Sequence, residues 1–331
     1  LRAPLEELPA KCFLVPGIPV KPMLAHPTKG ISEVLDRFAD QTFTCEYKYD
    51  GERGQVHVLE NGQVKVFSRN SEDSTGKFPD IVRTLPQALA AGTRSAVLDC
   101  EIVAYDTDAQ RILPFQVLST RARKKVLEAD VKVQVRLFVF DALFLNGRSL
   151  LHETLRTRRE LLLAAFHEGE HVRFVTHREV SDKDGMLDFL QAAVDDSCEG
   201  LMIKALDSEY EPDKRSRLWL KVKKDYVEGM SDSVDLVLLG AWHGKGKRTS
   251  TFGAFLLACY CPDTGEYQTV CKLGTGFSDE RLAALSATLT PLALPAAPAE
   301  YRVPDGPGGP EVWFAPRLVW EVAGADLTLS P

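Results

Sequence analysis

The chain has 331 residues, 44% of them hydrophobic and 26% charged, with a formal net charge of −7. That balance suits an ordinary globular protein of about two domains; it argues against a uniformly basic nucleic-acid binder and leaves room for local basic grooves. No apolar run approaches the ~20 residues of a membrane span, and seven scattered cysteines suit reduced thiols in an intracellular compartment rather than a disulfide framework.

The sequence opens at Leu1, without a methionine, and residues 1–20 carry Pro4, Pro9, Pro16 and Pro19. They read as the irregular tail of something upstream, so a fragment is expected. Residues 31–39 have helical spacing, with Ile31, Val34, Leu35 and Phe38 on one stripe. Residues 42–49 are predicted as a strand running into a turn at Asp50-Gly51. Alternation puts Thr44, Glu46 and Lys48 on one face and Phe43, Cys45 and Tyr47 on the other. Residues 54–59 and 64–68 form a hairpin around Glu60-Asn61-Gly62. A helix is expected over 78–90, a strand carrying Glu101 over 96–105, and a turn leading to Pro114-Phe115-Gln116. A long β-rich run covers 131–144, and amphipathic helices cover 155–166 and 183–195. Residues 198–204 enter a strand from a turn, and 218–222 form a short strand flanked by cations. Strands and helices mix without a βαβ rhythm, which predicts an α+β domain with antiparallel sheets over residues 16–227.

From about residue 228 the character changes. A linker at 228–232 precedes short strands at 234–242, 252–261 and 267–273, then a helix over 278–287. A Pro/Ala/Gly-rich loop and two more short strands follow, at 312–314 and 318–322. This pattern predicts a small all-β barrel of the OB type over 228–331. Cys259 and Cys261 lie two apart in an apolar strand, which is not zinc-ligand spacing. Local basic groups occur at Arg121-Ala-Arg123-Lys124-Lys125, Lys214-Arg215 and Lys221-Val-Lys223-Lys224. Another, Gly244-Lys245-Gly246-Lys247-Arg248, reads as an exposed loop able to follow a duplex backbone.

A lysine at a strand end beside a glycine turn is a suitable place for a nucleophile. Free amine is scarce, roughly one lysine in a thousand at neutral pH, so nearby cations and partial desolvation must help. Arg53, Lys204, Lys221 and Lys223 are candidate cations, and Asp50, Glu101 and Glu199 are candidate carboxylates. Mg²⁺ prefers such oxygen ligands together with phosphates, so the set suits attack on a nucleotide α-phosphate. Lys221 and Lys223 share one strand face. Glu199 and Lys204, five apart, converge only if Gly200 bends the chain.

Lys48-Tyr-Asp-Gly-Glu-Arg53 resembles the active-site motif of covalent nucleotidyltransferases: DNA ligases, RNA ligases and mRNA capping enzymes. Ser68-Arg69-Asn70, Leu98-Asp-Cys-Glu101, Phe138-Val-Phe140-Asp141, Cys198-Glu-Gly-Leu-Met-Ile-Lys204 and Trp219-Leu-Lys-Val-Lys223 follow in that superfamily's order. Between them, Ser68-Arg-Asn-Ser-Glu-Asp-Ser-Thr-Gly-Lys77, Cys271-Lys-Leu-Gly-Thr-Gly-Phe-Ser-Asp279 and Val319-Trp-Glu-Val322 are similar to eukaryotic ATP-dependent DNA ligases of type I. The similarity covers nearly the whole chain from Val15.

The resemblance implies a nucleotidyltransferase (adenylation) domain followed by an OB-fold. It also implies roles. Lys48 would carry AMP as a phosphoamide, Glu46 would read the adenine amino group, and Phe140 would stack on the base. Arg53 and Arg69 would contact the nucleotide and the nick 5′-phosphate. Glu101 and Glu199 would hold the ribose and Mg²⁺, and Lys221 and Lys223 the α-phosphate. Lys204 and Arg215 would serve the nucleotide site, and Phe115 would press into the minor groove beside the nick. Lys245, Lys247 and Arg248 complete the expected DNA contacts. The implied protein is a monomeric catalytic core that uses ATP and Mg²⁺ on nicked duplex DNA. It would act with partners in replication, repair and recombination, in the nucleus, with a mitochondrial form as the alternative location. A capping enzyme or RNA ligase is the nearest rival, and a non-catalytic binding module the more distant one. The family's helical DNA-binding domain would lie upstream, with only its end in residues 1–15. The family's arginine-rich closing motif would follow Leu327-Thr-Leu-Ser-Pro331. A fragment so bounded is expected to bind nicks weakly and to be impaired in lysine adenylylation.

Overall fold

A computed structural model describes residues 14–28, 30–122, 131–224, 233–303 and 308–324. The expected linker at 228–232, Arg123, Lys124 and Lys125, and both chain ends lie outside the described residues. The chain divides into two compact units, the first running to Met230 and the second covering Ser231–Leu329.

The first unit starts with β1 (Leu24–Pro27), α1 (Ile31–Arg37), β2 (Phe43–Lys48), β3 (Glu52–Val58) and β4 (Val64–Ser68). Next come α2 (Pro79–Thr84), β5 (Ala96–Asp106), β6 (Arg111–Ile112), α3 (Phe115–Ser119), β7 (Val135–Leu145) and β8 (Arg148–Ser149). It ends with α4 (Leu155–Ala165), β9 (Val172–Phe174), β10 (His177–Arg178), α5 (Lys183–Asp195), β11 (Gly200–Ala205) and β12 (Arg215–Lys223). Two sheets result. One has the order β1-β12-β11-β2-β10, and the other runs β4-β3-β5-β7-β8, with β6 on β5 and β9 on β7.

Alternation in β2 settles its packing. Phe43, Cys45 and Tyr47 enter a core with Ile31 and Val34 of α1 and with Met186, Phe189, Leu190 and Ala193 of α5. That leaves Glu46 and Lys48 on the opposite face, toward the second sheet. A separate core under the second sheet joins Val56, Leu98, Ile102 and Leu137 to Leu162 of α4. Met23, Val97, Leu143, Tyr210 and Trp219 form a third cluster that draws on both sheets.

Several expectations change. The helix over 78–90 stops at Thr84 and continues as a 3₁₀ turn, Leu85–Ala88, because Pro86 offers no backbone N–H. The turn before Pro114 is present at 107–110, and Phe115 opens a short helix. The strand expected at 218–222 runs Arg215–Lys223, since β12 has neighbours on both sides, β1 and β11. The sheets are mixed: β1 pairs with β12, and β7 with β9, in parallel.

The second unit holds β13 (Ser233–His243), β14 (Phe252–Cys261), β15 (Glu266–Leu273), α6 (Asp279–Leu289), β16 (Ala293–Leu294), β17 (Tyr301–Arg302), β18 (Val312–Phe314) and β19 (Val319–Ala323). They make one sheet, β16-β18-β13-β14-β15-β17, with β19 on β13, around Leu236, Phe255, Leu257, Leu282 and Phe314. No helix among the described residues is long and apolar enough to cross a membrane, and the six described cysteines are free thiols.

One ion pair ties α4 to β7. Arg158 and Asp141 are both fully buried, joined by two parallel bonds of 2.7 and 2.8 Å, and Arg158 also donates to the carbonyls of Glu153 and Ser208. Arg158→Met leaves Asp141 buried without a counterion. It is expected to cost about 3–5 kcal/mol in a denaturant titration. The double replacement Arg158→Met, Asp141→Leu should cost clearly less.

Candidate active site

The two sheets of the first unit enclose a cavity of about 350 Å³, room for a nucleotide-sized ligand. Eleven of the residues singled out from the sequence line it: Glu46, Lys48, Arg53, Arg69, Glu101, Phe115, Phe140, Glu199, Lys204, Arg215 and Lys221. Lys223 joins them through Glu199, at 2.9 Å.

The convergence of Glu199 and Lys204 depends on Gly200. This glycine has φ +148, and a Cβ there would collide with the Val222 carbonyl oxygen. It pairs with Lys48 on one side and Lys223 on the other. Glu199 is held next to it by backbone bonds to Lys48 O (2.8 Å) and from Lys224 N (3.2 Å). Its carboxylate accepts from Lys48 Nζ at 2.5 Å. Burial disfavours the charge on Glu199, but Lys48, then hydrogen bonds with Asp50 and Lys223, outweigh it and hold the group down at about 2. Asp50 moves the other way, to about 6, through burial and its hydrogen bond to Glu199. Lys221 is pushed down by burial and by the like charges of Lys48, Lys223 and Arg215.

Three of these side chains have partners within the protein. Arg53 is clamped by Asp99 (2.9 and 2.6 Å), Met23 O (2.8 Å) and Tyr210 Oη (3.3 Å), which occupy four of its five N–H groups. Burial works against its charge and Asp99 more than compensates, so Arg53 stays protonated. Lys204 is buried, 2.6 Å from Glu46, with its ammonium over the Phe140 and Trp219 rings. Glu46 is therefore not a lone acceptor, since Arg159 binds its other oxygen. In the second unit, Lys247 and Arg248 both pair with Asp279, at 3.0 and 2.5 Å, whereas Lys245 is exposed. The expected loop is present, but two of its three cations already have a carboxylate partner.

Residues 22–223 match the model of the ATP-dependent DNA ligase domain, and residues 248–331 match the ATP-dependent DNA ligase C-terminal region. The chain belongs to the ATP-dependent DNA ligase family. It is 52% identical to DNA ligase 1 of Schizosaccharomyces pombe, over 99% of this chain and 43% of that protein. It is 51% identical to DNA ligase 1 of Arabidopsis thaliana, over 98% of this chain and 41% of that protein. The chain thus spans less than half the length of these relatives. A mycobacterial DNA ligase D, solved in complex with ATP and MES, has 26% identity and a TM-score of 0.51, over 93% of this chain and 90% of that one. The architecture is a nucleotidyltransferase domain followed by an OB-fold.

Within this ligase fold, sequence reasoning missed Asp99, Tyr210, Trp219, Met202 and Arg159. Asp99 stood inside the quoted Leu98–Glu101 motif, and its alternation with Glu101 was the available signal. Arg159 gave none, because a cation on an amphipathic helix reads as solvated.

Glu101 lies half-buried opposite Lys48 and has no side-chain hydrogen bond among the described residues. Burial raises it from 4.5 to about 8, with Lys48 and Arg53 pulling back. Between those values the folded protein holds a proton that the unfolded chain releases. The stability contributed by Glu101 should therefore fall as pH rises from about 4.5 to about 8, then level off. Glu101→Gln should remove that slope. Chemical denaturation of both proteins across this range in metal-free buffer checks it, and parallel curves would contradict it.

Proposed function

We propose that this chain is the catalytic core of a DNA ligase that seals nicks in duplex DNA. The reading extends to a monomeric, nuclear enzyme of replication and repair. The observation that carries it is Lys48 facing a cavity lined by Arg69, Arg215 and Lys221, with Lys223 and Glu199 beside it. This is a nucleophile set among cations, in a family that uses ATP.

In the proposed reaction the Lys48 amine, once its proton has left, attacks the α-phosphorus of ATP. A P–N bond forms, the bond to pyrophosphate breaks, and Lys221 and Lys223 balance the charge on the transferring phosphate. The nick 5′-phosphate oxygen then attacks the same phosphorus, displacing Lys48 and giving an adenylylated 5′ end held by Arg69. The 3′-hydroxyl attacks the 5′-phosphorus, forms the phosphodiester and releases AMP. Phe140 supports the base, Arg53 fixes the cavity wall through Asp99, and Phe115, 37% exposed, offers an apolar face to the minor groove. Glu101 and Glu199 suit Mg²⁺. Both are oxygen donors, Glu101 has no side-chain hydrogen bond among the described residues, and one or two carboxylates plus phosphates are the usual set. When bound, the ion would neutralise phosphate charge.

AMP from α-labelled ATP should appear as acid-labile label on Lys48 of the intact protein. Lys48→Arg should abolish it, because guanidinium stays protonated. Label persisting on that variant would reject the assignment, and label from GTP in place of ATP would favour a capping enzyme.

We also propose that the Lys245–Arg248 loop follows the duplex backbone. Replacing Lys245, Lys247 and Arg248 by Gln should weaken nick binding and flatten its salt dependence by up to ~0.9 per lost phosphate contact. Self-adenylylation should change little. The opposite pattern, lost adenylylation with intact nick binding, would assign the loop to the nucleotide.

A further inference from the structure

Glu46 is the one fully buried carboxylate among the residues that line the cavity. Burying a carboxylate requires compensating cations. Lys204 supplies one from β11, at Oε2. Arg159 supplies the other from α4: one amino group binds Oε1, and the other donates to Thr44 Oγ1 at 3.4 Å. Lys204 lines the cavity and Arg159 does not, so Arg159 stands behind the carboxylate. Its helix is anchored, because the adjacent Arg158 is locked on Asp141, next to Phe140.

We propose that Arg159 is a positioning residue for base selection. It holds the Glu46 carboxylate, an acceptor, in place on the cavity wall. A purine 6-amino group donates to such an acceptor, whereas a 6-oxo group, itself an acceptor, is repelled. Without Arg159, Oε1 loses its partner, and the carboxylate is free to turn away from the base. A carboxylate so turned neither accepts from a 6-amino group nor repels a 6-oxo group. This inference rests on the reading of the cavity as an ATP site.

Self-adenylylation of the intact protein with ATP and with ITP, which carries a 6-oxo group, tests it. Arg159→Gln is expected to lower the ATP-to-ITP ratio of kcat/KM by about tenfold or more. The change should come mainly from a higher KM for ATP, with little change in kcat. Arg159→Lys, which keeps the charge but loses the bond to Thr44, should retain most of the preference, losing about threefold. An unchanged ratio in Arg159→Gln, or equal losses with ATP and ITP, overturns the proposal. Should Arg159→Gln fail to fold, an unchanged ratio in Arg159→Lys overturns it equally. Wild-type protein that takes no label from ATP would instead overturn the ATP-site reading.

Discussion

The cleft depends on the close approach of three strands at Gly200. Because this residue has no side chain, β12 can lie against it while β2 pairs on its other side. Glu199 is then fixed by backbone bonds between Lys48 and Lys223, and its carboxylate holds two ammonium groups close together. Two lysines so near one another repel, and Lys221 adds to the crowd. One carboxylate makes the arrangement stable without a ligand. A polyphosphate brings more negative charge than Glu199 alone, so the cavity favours exchanging an internal counterion for an external one.

The cations of the cleft fall into two groups with different physics. Arg53 and Lys204 are matched to buried carboxylates, Asp99 and Glu46, and stand against aromatic rings. Their charge is already balanced, and what they contribute is a rigid wall. Arg69 and Arg215 are exposed, and Lys221 is half-buried with its ammonium disfavoured by its neighbours. These groups have the most to gain from an anion. Preorganised walls beside cations with no ion pair among the described residues suit a phosphoryl-transfer site, since little reorganisation is then left for the reaction itself.

Much of this was legible in the sequence because it follows from period-two alternation and glycine punctuation. The faces of β2, the hairpin before Ser68 and the helix over 183–195 needed only local rules. Partners across the fold were not legible. Glu46 and Lys204 were each marked as nucleotide contacts, yet they bind each other. Their strands are far apart in sequence and pair in a register that only the tertiary fold sets. Arg159 was invisible for the same reason, because nothing local distinguishes a part-buried, paired cation on α4 from a solvated one. Pro86 cut a helix short, and central placement lengthened β12, so local propensity gave way to hydrogen-bond supply in one case and to neighbours in the other.

The second unit repeats the logic of the first in a softer form. Its glycine-rich loop carries three cations, and Asp279 at the start of α6 draws in two of them. That contact is exposed, so it is worth little by itself and is weakened by salt. A DNA phosphate competing for Lys247 and Arg248 must replace a weak partner, whereas Lys245 has no ion pair among the described residues. The DNA affinity proposed for the loop is therefore a difference between two sets of ion pairs. In a protein with net charge −7, such internal counterions limit indiscriminate attraction to any polyanion and keep the basic groups clustered where a regularly spaced backbone can engage several together.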